Sequence, residues 1–329
     1  MFDLDLKGTA DWIISHGYRS VAIQLPEGLK TDALRISDEL HNSTCAEITI
    51  LGTQCYGACD LFTDYKRLAE ALVHFGHSPI PHLSCDPDIR FVEVRVAVDI
   101  SDAVISACGH LPERVGLLAT VQYVGSIPRA KEILENSGKK VFVGEGDNRI
   151  SYPGQVLGCN FSAAGSIEDK VDAFLYLGEG DFHPLAASFG IGKKMMVLNP
   201  ITGELRSVDE VRERILRRRF ANIETARSAG SFLVIVCGKV GQNRSVDADK
   251  MMDQIRSAGK DAYKVLLDEI CPDALLPYRV DAYINTACPR IAMDDSAKYA
   301  KPMLTLTEAE IVLGLREWDD YEFDSITNP

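Results

Sequence analysis

No run of apolar residues in this 329-residue chain approaches the roughly 18 needed to span a bilayer. The first residues, MFDLDLKGTADW, are acidic and lack the basic-then-apolar order of a secretory signal. Both absences make the cytoplasm the default compartment and leave no membrane partner to expect. Positive charge is also scarce: 35 Lys and Arg stand against 48 Asp and Glu, a net charge of -13. That balance argues against general affinity for nucleic acid. The nine cysteines are odd in number, and a reducing compartment does not support a disulfide scaffold. What remains for them is to be small buried apolar residues or metal ligands.

What is present is an ordinary globular composition, 46% hydrophobic and 25% charged, long enough for two or three domains. Strand-like runs of Val, Ile, Leu and Phe alternate with helical segments, the pattern of an α/β protein with mostly parallel sheets. The alternation restarts twice. YRSVAIQLPEG (18–28), ERVGLLATVQYVG (113–125) and GSFLVIVCGKVGQN (230–243) each read as a strand and loop. A helix is expected after each, in KTDALRISDELH, SIPRAKEILENSG and SVDADKMMDQIRSAG. Three similar small α/β domains are therefore expected. They are 1–110, 111–205 and 206–329, the last beginning with a connecting helix.

The second strand of each unit is read in EITILGTQCYGACD, QVLGCNFSAA (155–164) and VDAYINTACPRIAMDD (280–295). Each places a cysteine just past a strand's carboxyl end: Cys55 or Cys59, then Cys159, then Cys288. The third strands, in ALVHFGHSP, AFLYLGEGDFHP and PMLTLTEAE, bring His74, His77 and His183 to the same edge. Functional groups of open parallel sheets collect beyond the carboxyl ends of the strands. Three such edges facing one centre would bring three thiolates together, although Cys59 and Cys159 are 100 residues apart and Cys288 lies 129 further on. Position alone does not choose between Cys55 and Cys59. Cys45, Cys108, Cys237 and Cys271 are read as buried apolar fillers, and Cys85 in HLSCDPD stands in a loop that either reading suits.

Three thiolates leave the metal open. Zinc takes a fourth ligand, often His, or water. A cubane iron–sulfur cluster on three cysteines leaves one iron without a protein ligand, free to bind and orient a small molecule. A fully ligated electron-transfer cluster would need four recurring cysteines. The basic stretch VRERILRRRF (211–220) reads as a solvated helical face or as a docking surface for an acidic partner.

The blocks IQLPEGL (23–29), YGACD (56–60), FGHS (75–78), LGCN (157–160) and NTACPR (285–290) together resemble the archaeal 2-(3-amino-3-carboxypropyl)histidine synthase family, which carries out the first step of diphthamide biosynthesis. The resemblance runs from about residue 15 to residue 312. It implies three α/β domains that each give one cysteine, Cys59, Cys159 and Cys288, to a [4Fe-4S] cluster with one iron not ligated by protein. Cys55 then becomes a buried neighbour. It implies S-adenosyl-L-methionine as co-substrate, cut between sulfur and the methionine γ-carbon, and transfer of the 3-amino-3-carboxypropyl group to a histidine of translation elongation factor 2. It also implies a homodimer and an electron donor. The compact CxxxCxxC loop of ordinary radical enzymes is missing, because position 62 is Phe. A quinolinate-synthase-like lyase shares the three-domain plan but uses small dicarboxylates, and the YGACD, NTACPR and GKVGQN contexts point away from it.

For the co-substrate, the turn CGKVGQN (237–243) offers Lys239, Gly241 and Gln242, whose backbone N–H groups suit a carboxylate. It is not a GxGxxG fingerprint. Glu27 and Gly28 at the first strand's end, and His183 before Pro184, complete the candidate contacts. Asp60 is expected to bond the amides of its own loop, Gly57, Gly158 and Thr286 to lie near the sulfurs, and Asp294 and Asp295 to cap a helix or shape an entrance. Arg214, Arg217, Arg218 and Arg219 are candidates for steering the protein substrate.

Overall fold

The computed structural model describes residues 2–83 and 86–327. Cys85 lies outside the described residues. The chain is α/β, with three sheets that are parallel apart from one edge pair. The first contains β1 (Ser20–Gln24), β2 (Glu47–Leu51), β3 (Ala71–Phe75) and β4 (Ile89–Val92), in the order β2-β1-β3-β4. The second contains β5 (Arg114–Ala119), β6 (Lys140–Phe142), β7 (Ala173–Leu177), β8 (Lys194–Leu198) and β9 (Leu205–Ser207), ordered β6-β5-β7-β8-β9 with β9 antiparallel. The third contains β10 (Ser231–Cys237), β11 (Asp261–Leu267), β12 (Ala282–Asn285) and β13 (Met303–Leu304), ordered β11-β10-β12-β13. One winding scheme, second-first-third-fourth, occurs in all three.

The central strands are continuous apolar runs because both faces are covered. Val21 and Ile23 of β1 pack with Val73 and Phe75 of β3. In the second sheet Leu117 and Leu175 face one core, while Leu118, Phe174 and Tyr176 face the other. The third sheet divides likewise, with Phe232, Val234 and Ile284 on one side and Leu233, Ile235 and Tyr283 on the other. The three segments expected to be helical after the first strands are so, over Ala33–Thr44, Ile127–Asn136 and Ser245–Ser257.

Two strands differ from the sequence reading. The segment 155–160 forms no strand, only the isolated bridges Ala119↔Gln155 and Leu157↔Asn160. The second strand of that sheet is β6, three residues long and too short to register as a pattern. In the third sheet β11 is second, and β12 is therefore third. β11 escapes notice because it is an edge strand, with Tyr263 and Leu266 exposed, Asp261 at its start and Lys264 between Tyr263 and Val265. Cys59 and Cys159 thus follow second strands, whereas Cys288 follows a third strand and occupies the place that His77 and His183 hold in the other sheets.

The basic segment is the helix Asp209–Ala226. Arg219 does not belong to its solvated face. It is fully buried and paired with Glu308, and it donates to the carbonyls of Ala292 (2.7 Å) and Met303 (2.6 Å). Glu308 also completes a capping box with Thr305, so one ion pair joins two helices. Arg217 does lie on the surface, beside Glu213 at 3.2 Å. Cys45 and Cys271 are exposed, not buried fillers; Cys45 ends a helix in the left-handed region at φ 59°. Among the described residues no helix is long and apolar enough to cross a membrane.

Candidate functional site

Beyond the carboxyl end of β2 the chain makes a short 3-10 turn, Ala58–Asp60, that carries Cys59. The turn is held by Asp60, whose carboxylate is buried. One oxygen accepts from the Tyr56 N–H at 2.8 Å; the other receives Lys239 Nζ at 2.8 Å and Gln242 Nε2 at 2.9 Å. Gln24 reinforces it from β1, donating to the Asp60 carbonyl at 2.8 Å and accepting from the Phe62 N–H at 3.2 Å. Lys239 and Gln242 belong to the turn after β10, so Asp60 joins the first sheet's edge to the third's.

Contact between these two turns is close. A Cβ on Gly241 would stand 2.5 Å from Cys59 Cα and 2.6 Å from its Cβ, so only glycine fits there. Gln242 Nε2 donates to Cys59 Sγ at 3.4 Å. Arg149 crosses from the second sheet and donates to the Gly241 carbonyl at 3.1 Å.

Cys159 is buried, with the Arg149 guanidinium within electrostatic reach of its sulfur. The C-terminal segment fixes its loop: the Ile326 N–H donates to the Cys159 carbonyl at 2.8 Å, and Asn160 Nδ2 donates to the Ile326 carbonyl at 3.0 Å. Phe323 stacks on Phe189 with centroids 5.5 Å apart, and Asp324 pairs with Arg244 at 2.6 Å. Arg244 donates in turn to the carbonyls of Thr286 (2.7 Å) and Ala287 (2.9 Å), bracing the loop before Cys288. Cys288 precedes the short helix Pro289–Asp294, and Asn285 Nδ2 donates to its carbonyl at 2.8 Å. Arg290 follows, its guanidinium 3.6 Å from the Phe182 ring centroid and 2.6 Å from Asp294.

The three sulfurs sense one another. Burial pushes the Cys59 thiol well above its ordinary value, and negative charge at Asp60, Cys159 and Cys288 pushes it further. Cys288 is pushed up to about 12 by burial and then by Cys159. Cys159 rises through burial, while Arg149 and Arg244 pull it back. Thiols so placed stay protonated unless a cation joins them, and a metal ion or cluster supplies that charge. The donor set fits: of three sulfurs, one from each sheet, that of Cys59 accepts from Gln242, and positive charge at Arg149 and Arg290 lies near those of Cys159 and Cys288. They also stand further apart than one small ion requires. A tetrahedral zinc would hold its sulfurs about 3.8 Å apart. Among the described residues, Cys59, Cys159 and Cys288 do not all fall within 4.8 Å of one another. A polynuclear cluster suits that spread better.

The other sequence-derived candidates divide. Lys239, Gly241 and Gln242 pack directly on the Cys59 turn. Glu27 and Gly28 are exposed; the Glu27 carboxylate receives Lys30 at 2.6 Å and the Cys55 N–H at 3.2 Å. His183 lies within electrostatic reach of Arg290 and His77, and its pKa is driven down to about 3, chiefly by burial. The Thr286 hydroxyl is committed to the Ile235 carbonyl at 2.8 Å and offers no donor to sulfur. Asp294 serves Arg290, and Asp295 pairs with Lys298 at 2.7 Å. Sequence reasoning missed Arg149, Arg244 and Arg290. Arg149 and Arg244 stand in loops and Arg290 in the short helix after Cys288, and only the fold shows that they gather round the cysteines.

Comparison with known proteins agrees with this geometry. The sequence profile of the diphthamide synthesis protein family matches residues 25–323. The chain is 36% identical over 315 residues to the 2-(3-amino-3-carboxypropyl)histidine synthase of Pyrococcus horikoshii, covering 94% of this chain and 90% of the relative. Subunit 1 of the human enzyme of that name is 31% identical, covering 91% and 69%. The crystal structure of Dph2 from Pyrococcus horikoshii with a 4Fe-4S cluster superposes with a TM-score of 0.89 at 34% identity, covering 99% of this chain and 95% of that one. This chain belongs to the diphthamide synthesis protein family.

Proposed function

We propose that the protein is a 2-(3-amino-3-carboxypropyl)histidine synthase. In this reading Cys59, Cys159 and Cys288 hold a [4Fe-4S] cluster, each cysteine coming from one of three consecutive α/β units, 1–110, 111–205 and 206–329. One iron keeps no protein ligand. The reaction cuts the S–Cγ bond of S-adenosyl-L-methionine, transfers the 3-amino-3-carboxypropyl group to C2 of a histidine in translation elongation factor 2 and releases methylthioadenosine. The observation that carries the reading is the convergence of three thiols from three different sheets.

The bound cluster supplies the single electron that acid–base residues cannot. The chain's own residues do the rest. Gln242 donates to the Cys59 sulfur and Arg149 places positive charge beside Cys159, which offsets negative charge there and tunes the potential. Lys239 and Asp60 keep the first and third edges in register. Exposed Tyr56 and Val240 in the turns, and Phe182 at the start of the helix Phe182–Gly190, offer apolar surface near the centre. Lys239, Gly241, Gln242 and His183 are the candidate contacts for the co-substrate, with Glu27 and Gly28 further out. The protein substrate must present its histidine on a loop tip, since Cys159 is buried and Cys59 and Cys288 are only partly exposed. A homodimer, a separate electron donor and a cytoplasmic setting complete the reading.

The test is anaerobic incubation of the dithionite-reduced protein with S-adenosyl-L-methionine and archaeal elongation factor 2, followed by mass spectrometry. Methylthioadenosine and an aminocarboxypropyl adduct on one histidine are expected. 5'-Deoxyadenosine as the main product would refute the bond assignment, and a colourless preparation without iron would refute the cluster.

A further inference from the structure

We propose that Cys55, His74 and His77 form a second metal site, distinct from the three-cysteine centre, for one divalent ion of borderline softness such as zinc or ferrous iron. Among the described residues these three form the one group of metal-donor side chains whose ligand atoms all lie within 4.8 Å of one another. They meet at a single edge. Cys55 stands in the loop after β2, His74 near the end of β3 and His77 in the loop beyond it. Cys55 and His74 have no exposed surface.

Hydrogen bonding fixes which nitrogen of His74 is free. Gln24 cannot flip, because its Nε2 donates to the Asp60 carbonyl and its Oε1 accepts from the Phe62 N–H. Oε1 must therefore be the acceptor at His74 Nδ1, 2.8 Å away, and His74 donates from that nitrogen. Neutral His74 then presents a bare Nε2 inward, the arrangement of metal-bound histidines whose outer N–H is anchored by an oxygen. That lone pair faces His77 Nδ1 at 2.9 Å. Burial keeps both imidazoles neutral at pH 7, with His77 brought down to about 4. Neutral imidazole is the ligating form.

The Cys55 sulfur is poorly served, with a 3.8 Å approach to the Gly57 carbonyl as its polar contact. A bound cation would release its proton to solvent and take the thiolate. Tetrahedral zinc, with bonds of about 2.0–2.1 Å to nitrogen and 2.3 Å to sulfur, sets N···N near 3.3 Å and N···S near 3.6 Å. The imidazoles need to part by a few tenths of an ångström and the sulfur to swing inward. The fourth position would be left to water, because Asp60 is committed elsewhere. Such an ion would tie the loop that carries Cys59 to β3. The inference does not rest on the reading of the three-cysteine centre.

The test uses the full-length chain with Cys59, Cys159 and Cys288 all replaced by Ser, freed of metal and titrated with Co²⁺. One equivalent should bind with a thiolate-to-cobalt charge-transfer band and tetrahedral d–d absorption. Adding Cys55→Ser should abolish the charge-transfer band, and adding His74→Gln should weaken cobalt binding at least tenfold. No charge-transfer band, or one that survives Cys55→Ser, would overturn the proposal and leave His74 and His77 as a hydrogen-bonded pair only. Zinc counted by native mass spectrometry in the otherwise unaltered chain gives a second reading if the triple variant does not fold. About one zinc per chain, lost in Cys55→Ser alone, supports the site; none, or zinc unchanged by the substitution, overturns it.

Discussion

The substitution Gly241→Ala tests the centre most directly. The added methyl would lie 2.5 Å from Cys59 Cα, 2.6 Å from its Cβ and 2.9 Å from its carbonyl oxygen, against an ordinary contact of 3.4–4 Å. None of these atoms is the far end of a flexible side chain, so the two turns must part by roughly 1 Å. Overpacking of that kind costs about 1–3 kcal/mol, or a fall in Tm of roughly 1–4 °C for a chain of this size. The effect on metal should be far larger than the effect on fold. Metal–ligand distances tolerate about ±0.2 Å, and a 1 Å retreat also draws Cys59 away from Gln242. Anaerobic reconstitution should therefore give Gly241→Ala well under the iron and sulfide content of the parent, with far-UV circular dichroism unchanged. Gly28→Ala is the control, since its methyl meets nothing within 4 Å. Full iron content in Gly241→Ala would refute the claim that this close approach positions Cys59.

Arg219→Met should destabilise the chain by about 3–5 kcal/mol, because it leaves the Glu308 carboxylate buried without its partner. Urea titration should show Arg219→Met/Glu308→Leu recovering most of that loss. In the metal-free chain stability should fall on acidification below about pH 6.5. His77 and His183 have folded pKa values of about 4 and about 3, below the unfolded value, so the unfolded state takes up protons first. Their contribution is present above about pH 6.5 and is lost progressively towards pH 4 for His77 and pH 3 for His183, on the order of 3 kcal/mol for His77; denaturant midpoints flat from pH 7 to pH 4.5 would contradict it. Asp60→Asn keeps the side chain's shape but strips Lys239 of its ion partner. Iron per chain should drop severalfold while the unfolding transition stays cooperative.

The α/β class, the parallel strands and the three-fold restart were legible in the sequence because buried parallel strands are near-continuous apolar runs with loops at regular intervals. Cys59, Cys159 and Cys288 stood out because each lies in a Gly- or Pro-bearing block just after an apolar run. Chain order could not reveal that these blocks occupy unequal places in the winding scheme. β6 is too short, and β11 too polar on its exposed edge, to announce themselves, so Cys288 was assigned to the wrong strand of its unit. Arg219 illustrates the same limit. In VRERILRRRF it reads like its neighbours, and only the packing of the helix against Glu308 separates a buried partner from a solvated one.

The sequence by itself determined which residues could carry the chemistry: soft sulfur donors just after apolar runs, glycines where turns meet, and an aspartate beside Cys59. Only the tertiary structure decided that these residues meet. Local propensity acts over a few residues, whereas the sulfurs are joined by contacts such as Lys239 with Asp60 and Arg149 with Gly241, made between segments far apart in the chain. The arginines around the thiols and the histidine pair beside Cys55 belong to that second class. Their surroundings come from three sheet edges brought together, and no spacing along the chain encodes them.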